Sequence, residues 1–94
     1  RRKAKIDDNQ VSIVSGLRKA GALVLSLAAV GRGCPDLLVC RGDRLFLLEV
    51  KDGAKSPSRR KLTPDQVKFH RKWPAKVVTN LDEALIAIGL LEEK

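Results

Sequence analysis

Asp36, Glu49 and Lys51 are the residues of this sequence whose types and spacing can do chemistry together. Glu49 and Lys51 are two apart, so in an extended strand they share a face. Asp36 lies upstream, and the residues between, 37–48, are apolar apart from Arg41-Gly42-Asp43-Arg44. Gly42-Asp43 fits a two-residue hairpin turn with glycine at its first position. A hairpin centred there sets Arg41 opposite Arg44, Val39 opposite Phe46, Leu37 opposite Leu48 and Asp36 opposite Glu49. Cross-strand β-carbons stand about 4.5–5.5 Å apart, so Asp36, Glu49 and Lys51 converge at one end of one face. Two facing carboxylates repel. Lys51 offsets that as a structural ion-pair cluster, or a hard divalent cation does. Mg²⁺ takes one or two carboxylates plus waters and a phosphate oxygen. It polarises that phosphate and lowers the pKa of a bound water, while a lysine beside it orients the water or steadies charge on the phosphorane. On these residues alone both readings stay open.

Charge favours the second. The chain has 94 residues and a formal net charge of +8, which points to a polyanionic partner, nucleic acid foremost, over an inert basic surface. A phosphodiester is then the natural substrate. An apolar content of 44% is that of a globular protein rather than a disordered one. The length suits one small domain with a limited core, for which oligomerisation is a natural supplement. No apolar run reaches the length of a membrane span. No signal peptide is legible, because the basic N-terminus is not followed by an apolar segment. With Arg1 first and no methionine in the sequence, the natural start is expected upstream. Cys34 and Cys40 make a poor zinc pattern with the lone His70. They are expected as reduced, buried thiols of a cytosolic protein.

The elements that must position the three residues follow from periodicity and punctuation. Asp7 or Asp8 is expected to cap a first helix carrying Ile13, Val14, Leu17 and Ala20, with Gly21 as its stop. Residues 22–28 alternate as a strand, with Leu23, Leu25 and Leu27 on one face. The two hairpin runs are apolar on both faces, which predicts a hairpin inside a sheet covered on both sides. Residues 52–61 form a polar, basic loop. Thr63, Pro64, Asp65 and Gln66 mark a helix start: a cap, a first-position proline, a dipole partner and a capping box. That helix carries Val67, Phe69, His70 and Trp73 and ends near Pro74. A short strand over 75–79 and a closing helix over 80–93, capped by Asn80 or Asp82, complete an α/β chain of order α-β-β-β-α-β-α.

Pro35-Asp36, then Glu49-Val50-Lys51, is the PD-(D/E)XK nuclease signature. Together with "GCPDLLV", "LLEVKDG" and "LTPDQ" in that order, it resembles the VRR-NUC family of virus-type replication-repair nucleases, especially the small stand-alone phage and bacterial members. The resemblance runs from about Asn9 to Ile88. It implies a single nuclease domain over 1–94, with a central mixed four-stranded sheet flanked by helices. It also implies a DNA endonuclease dependent on Mg²⁺ or Mn²⁺, with Asp36 and Glu49 as metal acids, the Val50 carbonyl completing the shell and Lys51 as the catalytic lysine. Gln66 matches a glutamine of the active-site face. Gln10, with Asn9 behind it, stands where many relatives place a glutamate, so a second metal lacks its acid. Stand-alone relatives imply a homodimer acting on branched DNA, as a Holliday-junction resolvase in replication or repair, in the cytoplasm of a bacterial or phage-infected cell and on the nucleoid when bound to DNA.

The cations near these positions are expected to contact DNA phosphates: Arg32, Lys55, Arg59, Arg60, Lys61, Lys68, Arg71 and Lys72. Gly31 and Gly33 either let a backbone approach closely or merely turn the chain. His70 is expected as a partly buried helix residue rather than a general base, Trp73 as core rather than a base-stacking platform, and Phe46 among aliphatics. The rival class is a nuclease-fold binding module with weak or no catalysis, motivated by Gln10. A sequence-specific restriction endonuclease fits less well, for want of a base-reading insertion.

Overall fold

The strands and helices follow one another in the order read from the sequence. The computed structural model describes residues 9–93. Helix α1 spans Gln10–Lys19, β1 Leu23–Ser26, β2 Leu37–Arg41, β3 Arg44–Val50, α2 Pro64–Lys72, β4 Ala75–Val78 and α3 Leu81–Ala87, with a short 3₁₀ turn at Pro57–Arg59. The strands form one mixed sheet in the order β1-β2-β3-β4. The first three are antiparallel neighbours and β4 runs parallel to β3, so α2 lies in the crossover that a parallel pair requires.

The β2–β3 register is the expected one: Arg41 pairs with Arg44, Val39 with Phe46 and Leu37 with Leu48. Gly42 has φ 61° while Asp43 stays out of the left-handed region, the pattern of a type II′ turn, whose twist matches that of the strands. Alternation then divides the sheet. Leu37, Val39, Leu48, Val50 and Val78 face α1 and α3 and form the core with Ile13, Leu17, Ala84 and Ile88.

The opposite face departs from expectation. It carries Leu23 and Leu25 of β1, Leu38 and Cys40 of β2, Leu45 and Leu47 of β3, and Ala75 and Val77 of β4. Leu23 is 71% exposed and Leu45 67%, with Leu25 and Val77 exposed as well. The hairpin is therefore not covered on both sides. Helix α2 lies over the Glu49 end of this face, buries no residue completely and leaves the rest open. The alternating leucines of β1 point to the open side, and the core takes Ala22 and part of Val24 instead. The two cysteines are free but only half-buried, not buried as expected.

Helix ends account for the other differences. Asp7 and Asp8 lie outside the described residues, and the N-cap position of α1 belongs to Asn9. At its far end Gly21, with φ 96°, donates to the Arg18 carbonyl, and Ala22 donates to that of Leu17, a Schellman stop. The closing helix is shorter than the expected 80–93. Gly89, with φ 81°, donates to Ile86, and Leu90 to Leu85, which ends α3 by the same motif. Asn80 caps it, its Oδ1 accepting from Glu83 N at 2.8 Å. No helix of the described residues is long and apolar enough to cross a membrane.

Candidate active site

Glu49 is the one buried carboxylate among the described residues, 2% exposed, near the end of β3, an interior strand of the sheet. An ionised carboxylate there needs partners. Gln66 supplies one: its Nε2 donates to Glu49 Oε2 at 3.1 Å. Its Oε1 accepts from Lys51 Nζ at 2.9 Å, and Lys51 Nζ stands 4.0 Å from Glu49 Oε2. The amide thus joins the acid to the lysine. Gln66 is fixed in turn by the helix start. Thr63 Oγ1 accepts from Gln66 N, and Gln66 Oε1 accepts from Thr63 N, the reciprocal pattern of a capping box. The capping box expected at Gln66 is present, and the same side chain also contacts Glu49 and Lys51.

Asp36 stands one residue beyond the last β2–β3 pair. Its Oδ2 accepts from Val50 N at 2.7 Å, so the carboxylate is tied to the backbone between Glu49 and Lys51. Cys34 reports the proximity of both acids. Its thiol is pushed above the usual cysteine value by burial, then by the carboxylates of Glu49 and Asp36. Gly33, with φ 79°, turns the chain and also lies so close to the first turn of α2 that a Cβ would overlap the backbone of Asp65 and Gln66. Both roles weighed for this glycine hold, and together they press the Asp36 loop onto the helix that carries Gln66.

Helix α1 is moored to the same strand ends. Asn9 Nδ2 donates to the carbonyls of Lys51, at 3.0 Å, and Thr79, at 2.7 Å. This role was not legible in the sequence, because it depends on β3 and β4 ending side by side. Gln10 follows, 4% exposed, with its Oε1 buried and without a hydrogen-bond partner. A neutral amide therefore occupies the first turn of α1 where an acid was the alternative. Among the described residues no three His, Cys, Asp or Glu side chains cluster to hold an ion. Asp36 and Glu49 offer carboxylate oxygens, hard donors of the kind Mg²⁺ and Mn²⁺ complete with water.

A solved structure described as a VRR_NUC domain is similar to this chain, with 30% sequence identity and a TM-score of 0.58, over 82% of this chain and 88% of that one. The chain belongs to the VRR-NUC family. No family model matches the sequence, and no curated protein does. The mixed sheet with flanking helices is the architecture expected of this nuclease family.

The other residues singled out in this VRR-NUC domain fall into two groups. Arg59, Lys61, Lys68, Arg71 and Lys72 are exposed, and Lys55 and Arg60 are half-buried, with the Arg60 guanidinium Nη1 donating to the Gly53 carbonyl at 3.4 Å. Arg32, Lys68 and Lys72 come together beside the site in one groove with Phe69 and Trp73. Trp73 is not core: it is exposed and stacked on Phe69. Phe46 is half-buried, with the Arg44 guanidinium 5.4 Å from its ring centre.

His70 lies one turn beyond Gln66, on its side of α2, and its Nε2 is buried without a partner. Burial, and then the charge of Lys51, hold its imidazole below the usual histidine value of 6.5. The unfolded chain binds that proton at a pH where the folded chain does not, so stability falls as pH drops through 6.5. The wild type is expected to lose more stability than His70→Gln between neutral pH and a pH below that value. Urea unfolding at the two pH values measures it, and equal losses would contradict the assignment.

Proposed function

We propose that this domain hydrolyses DNA phosphodiester bonds, with Mg²⁺ or Mn²⁺ held by Asp36, Glu49 and the Val50 carbonyl. The observation that carries the reading is the Glu49–Gln66–Lys51 chain of contacts beside an Asp36 carboxylate tied to Val50 N. When bound, the cation polarises the scissile phosphate and lowers the pKa of a bound water. The chain's own residues do the rest. Lys51, with Nζ oriented by Gln66, stabilises negative charge building on the phosphorane oxygens. Gln66 bridges Glu49 and Lys51, whose charged atoms stand 4.0 Å apart, and so fixes the two heads relative to each other. The exposed cations of the 52–61 loop and of α2 hold flanking phosphates. The neutral Gln10 fits one cation per site.

The substrate in this reading is branched DNA, and the working unit is a homodimer. The open sheet face supports the dimer. It presents Leu23, Leu25, Leu45 and Val77 with no exposed charge, in a chain where 32% of residues are charged. Burying each such leucine is worth about 1.5–3 kcal/mol, and an uncharged face is where two +8 chains meet with the least repulsion. A two-fold pairing gives two equivalent sites, suited to paired nicks. Gln10 favours a second reading, a binding module without catalysis.

Cleavage of a labelled four-way junction, a matched duplex and a single strand, with Mg²⁺ or Mn²⁺ and with EDTA, separates the two. Metal-dependent nicking of the junction is expected, reduced about a hundredfold or more in Lys51→Ala and Glu49→Ala, with DNA binding retained. Binding without cleavage of any substrate would leave the non-catalytic module. Sedimentation analysis tests the dimer: the wild type is expected to sediment as a dimer and Leu25→Glu as a folded monomer. A monomeric wild type would contradict it.

A further inference from the structure

The only tryptophan of the chain stands 54% exposed, although its apolar area is the largest a side chain can bury. The Trp73 indole is stacked on the Phe69 ring, centroids 5.4 Å apart and planes 16° from parallel. The pair lines an open groove whose other residues are Arg32, Asp65, Lys68 and Lys72. Arg32 reaches it from an unusual backbone. Gly31, Arg32 and Gly33 have φ of 74°, 58° and 79°, and a left-handed conformation is sterically disfavoured for arginine. The close seating of Gly33 on Asp65 and Gln66 fixes this loop to α2, so the guanidinium is presented by a pinned segment.

Flat aromatic faces beside three cations fit a ligand with a π-face and a phosphate. Asp65, the one carboxylate of the groove, repels a phosphate but accepts from a base's exocyclic amine. A paired base is enclosed in its duplex, so the base that reaches a surface stack is unpaired. Trp73 lies two helical turns beyond Gln66, about 10 Å along the axis, which places the stack a few nucleotides from a phosphate at Glu49 and Lys51.

We propose that this groove binds an unpaired nucleotide of the DNA strand, its base on the Phe69–Trp73 stack and its phosphate on Arg32, Lys68 and Lys72. The inference deepens the nuclease reading and rests on it for the identity of the ligand. It gives the domain a preference for DNA with an unpaired nucleotide beside the cut.

The test is equilibrium binding in EDTA, where cleavage does not interfere. With one tryptophan and no tyrosine in the chain, indole fluorescence reports on this groove alone. Single strands and forks with an unpaired tail are expected to quench it. A blunt duplex, and a strand made abasic throughout, are expected to bind without quenching. Trp73→Ala should weaken single-strand binding about tenfold and leave duplex binding unchanged, with Trp73→Phe recovering most of the loss. Equal quenching by abasic and intact strands, or wild-type affinity in Trp73→Ala, would overturn the proposal, as would no response to any DNA, which leaves the stack to a protein ligand. Base-dependent quenching in a protein that cleaves nothing with Mn²⁺ would sustain the groove and sink the catalytic reading. Cleavage without base-dependent quenching would do the reverse.

Discussion

Gln66 uses both ends of one amide where strand β3 meets helix α2. Its oxygen accepts from Thr63 N and Lys51 Nζ, and its nitrogen donates to Glu49 Oε2. A buried carboxylate left without partners costs several kcal/mol or changes its protonation. A neutral amide gives Glu49 a hydrogen-bond donor and at the same time accepts from Lys51. Because the same oxygen closes the capping box, the start of α2 and the geometry of the site depend on one side chain. The Asp36 loop, pressed onto α2 through Gly33, and the Asn9 tether to the ends of β3 and β4 complete a frame built around that point.

The sheet is used unequally on its two faces. One carries the core and is closed by α1 and α3, which approach so tightly that a Cβ on Gly16 would overlap Leu81. The other holds the charged chemistry at one end, under a helix that buries none of its own residues completely, and open leucines at the other. The core and the Glu49–Gln66–Lys51 contacts thereby lie on opposite sides of the same strands. Glu49 lies on the side of Gln66 and Lys51 while its neighbours Leu48 and Val50 anchor the core, so the acid is held by a strand with little freedom to move.

What was legible in the sequence was local or strictly periodic. The Gly42-Asp43 turn sets the register of β2 on β3, and the alternation of a strand then dictates which side chains meet. The capping box at Thr63 and Gln66 is a short-range pattern with a direct mechanism. What was not legible depended on partners distant in the chain. Leu23 and Leu45 have the same composition whether a helix covers them or not, and α2 is too short to span the face. The hydrophobicity of Trp73 is visible in sequence and points to the core, whereas its place at the rim, just past the end of α2, is not visible there. The apolar pattern runs on through Leu90 and Leu91, whereas the positive φ of Gly89 ends α3 before them.

In the proposed function Asp36 and Glu49 act together as a hard-cation site poised by Gln66. Titration of Mn²⁺ followed by electron paramagnetic resonance tests it without any DNA or turnover. One ion per chain is expected to bind the wild type, and binding should be lost in both Asp36→Asn and Glu49→Gln while their circular dichroism stays that of the wild type. Unchanged Mn²⁺ binding in either folded variant would show that these carboxylates do not form the site.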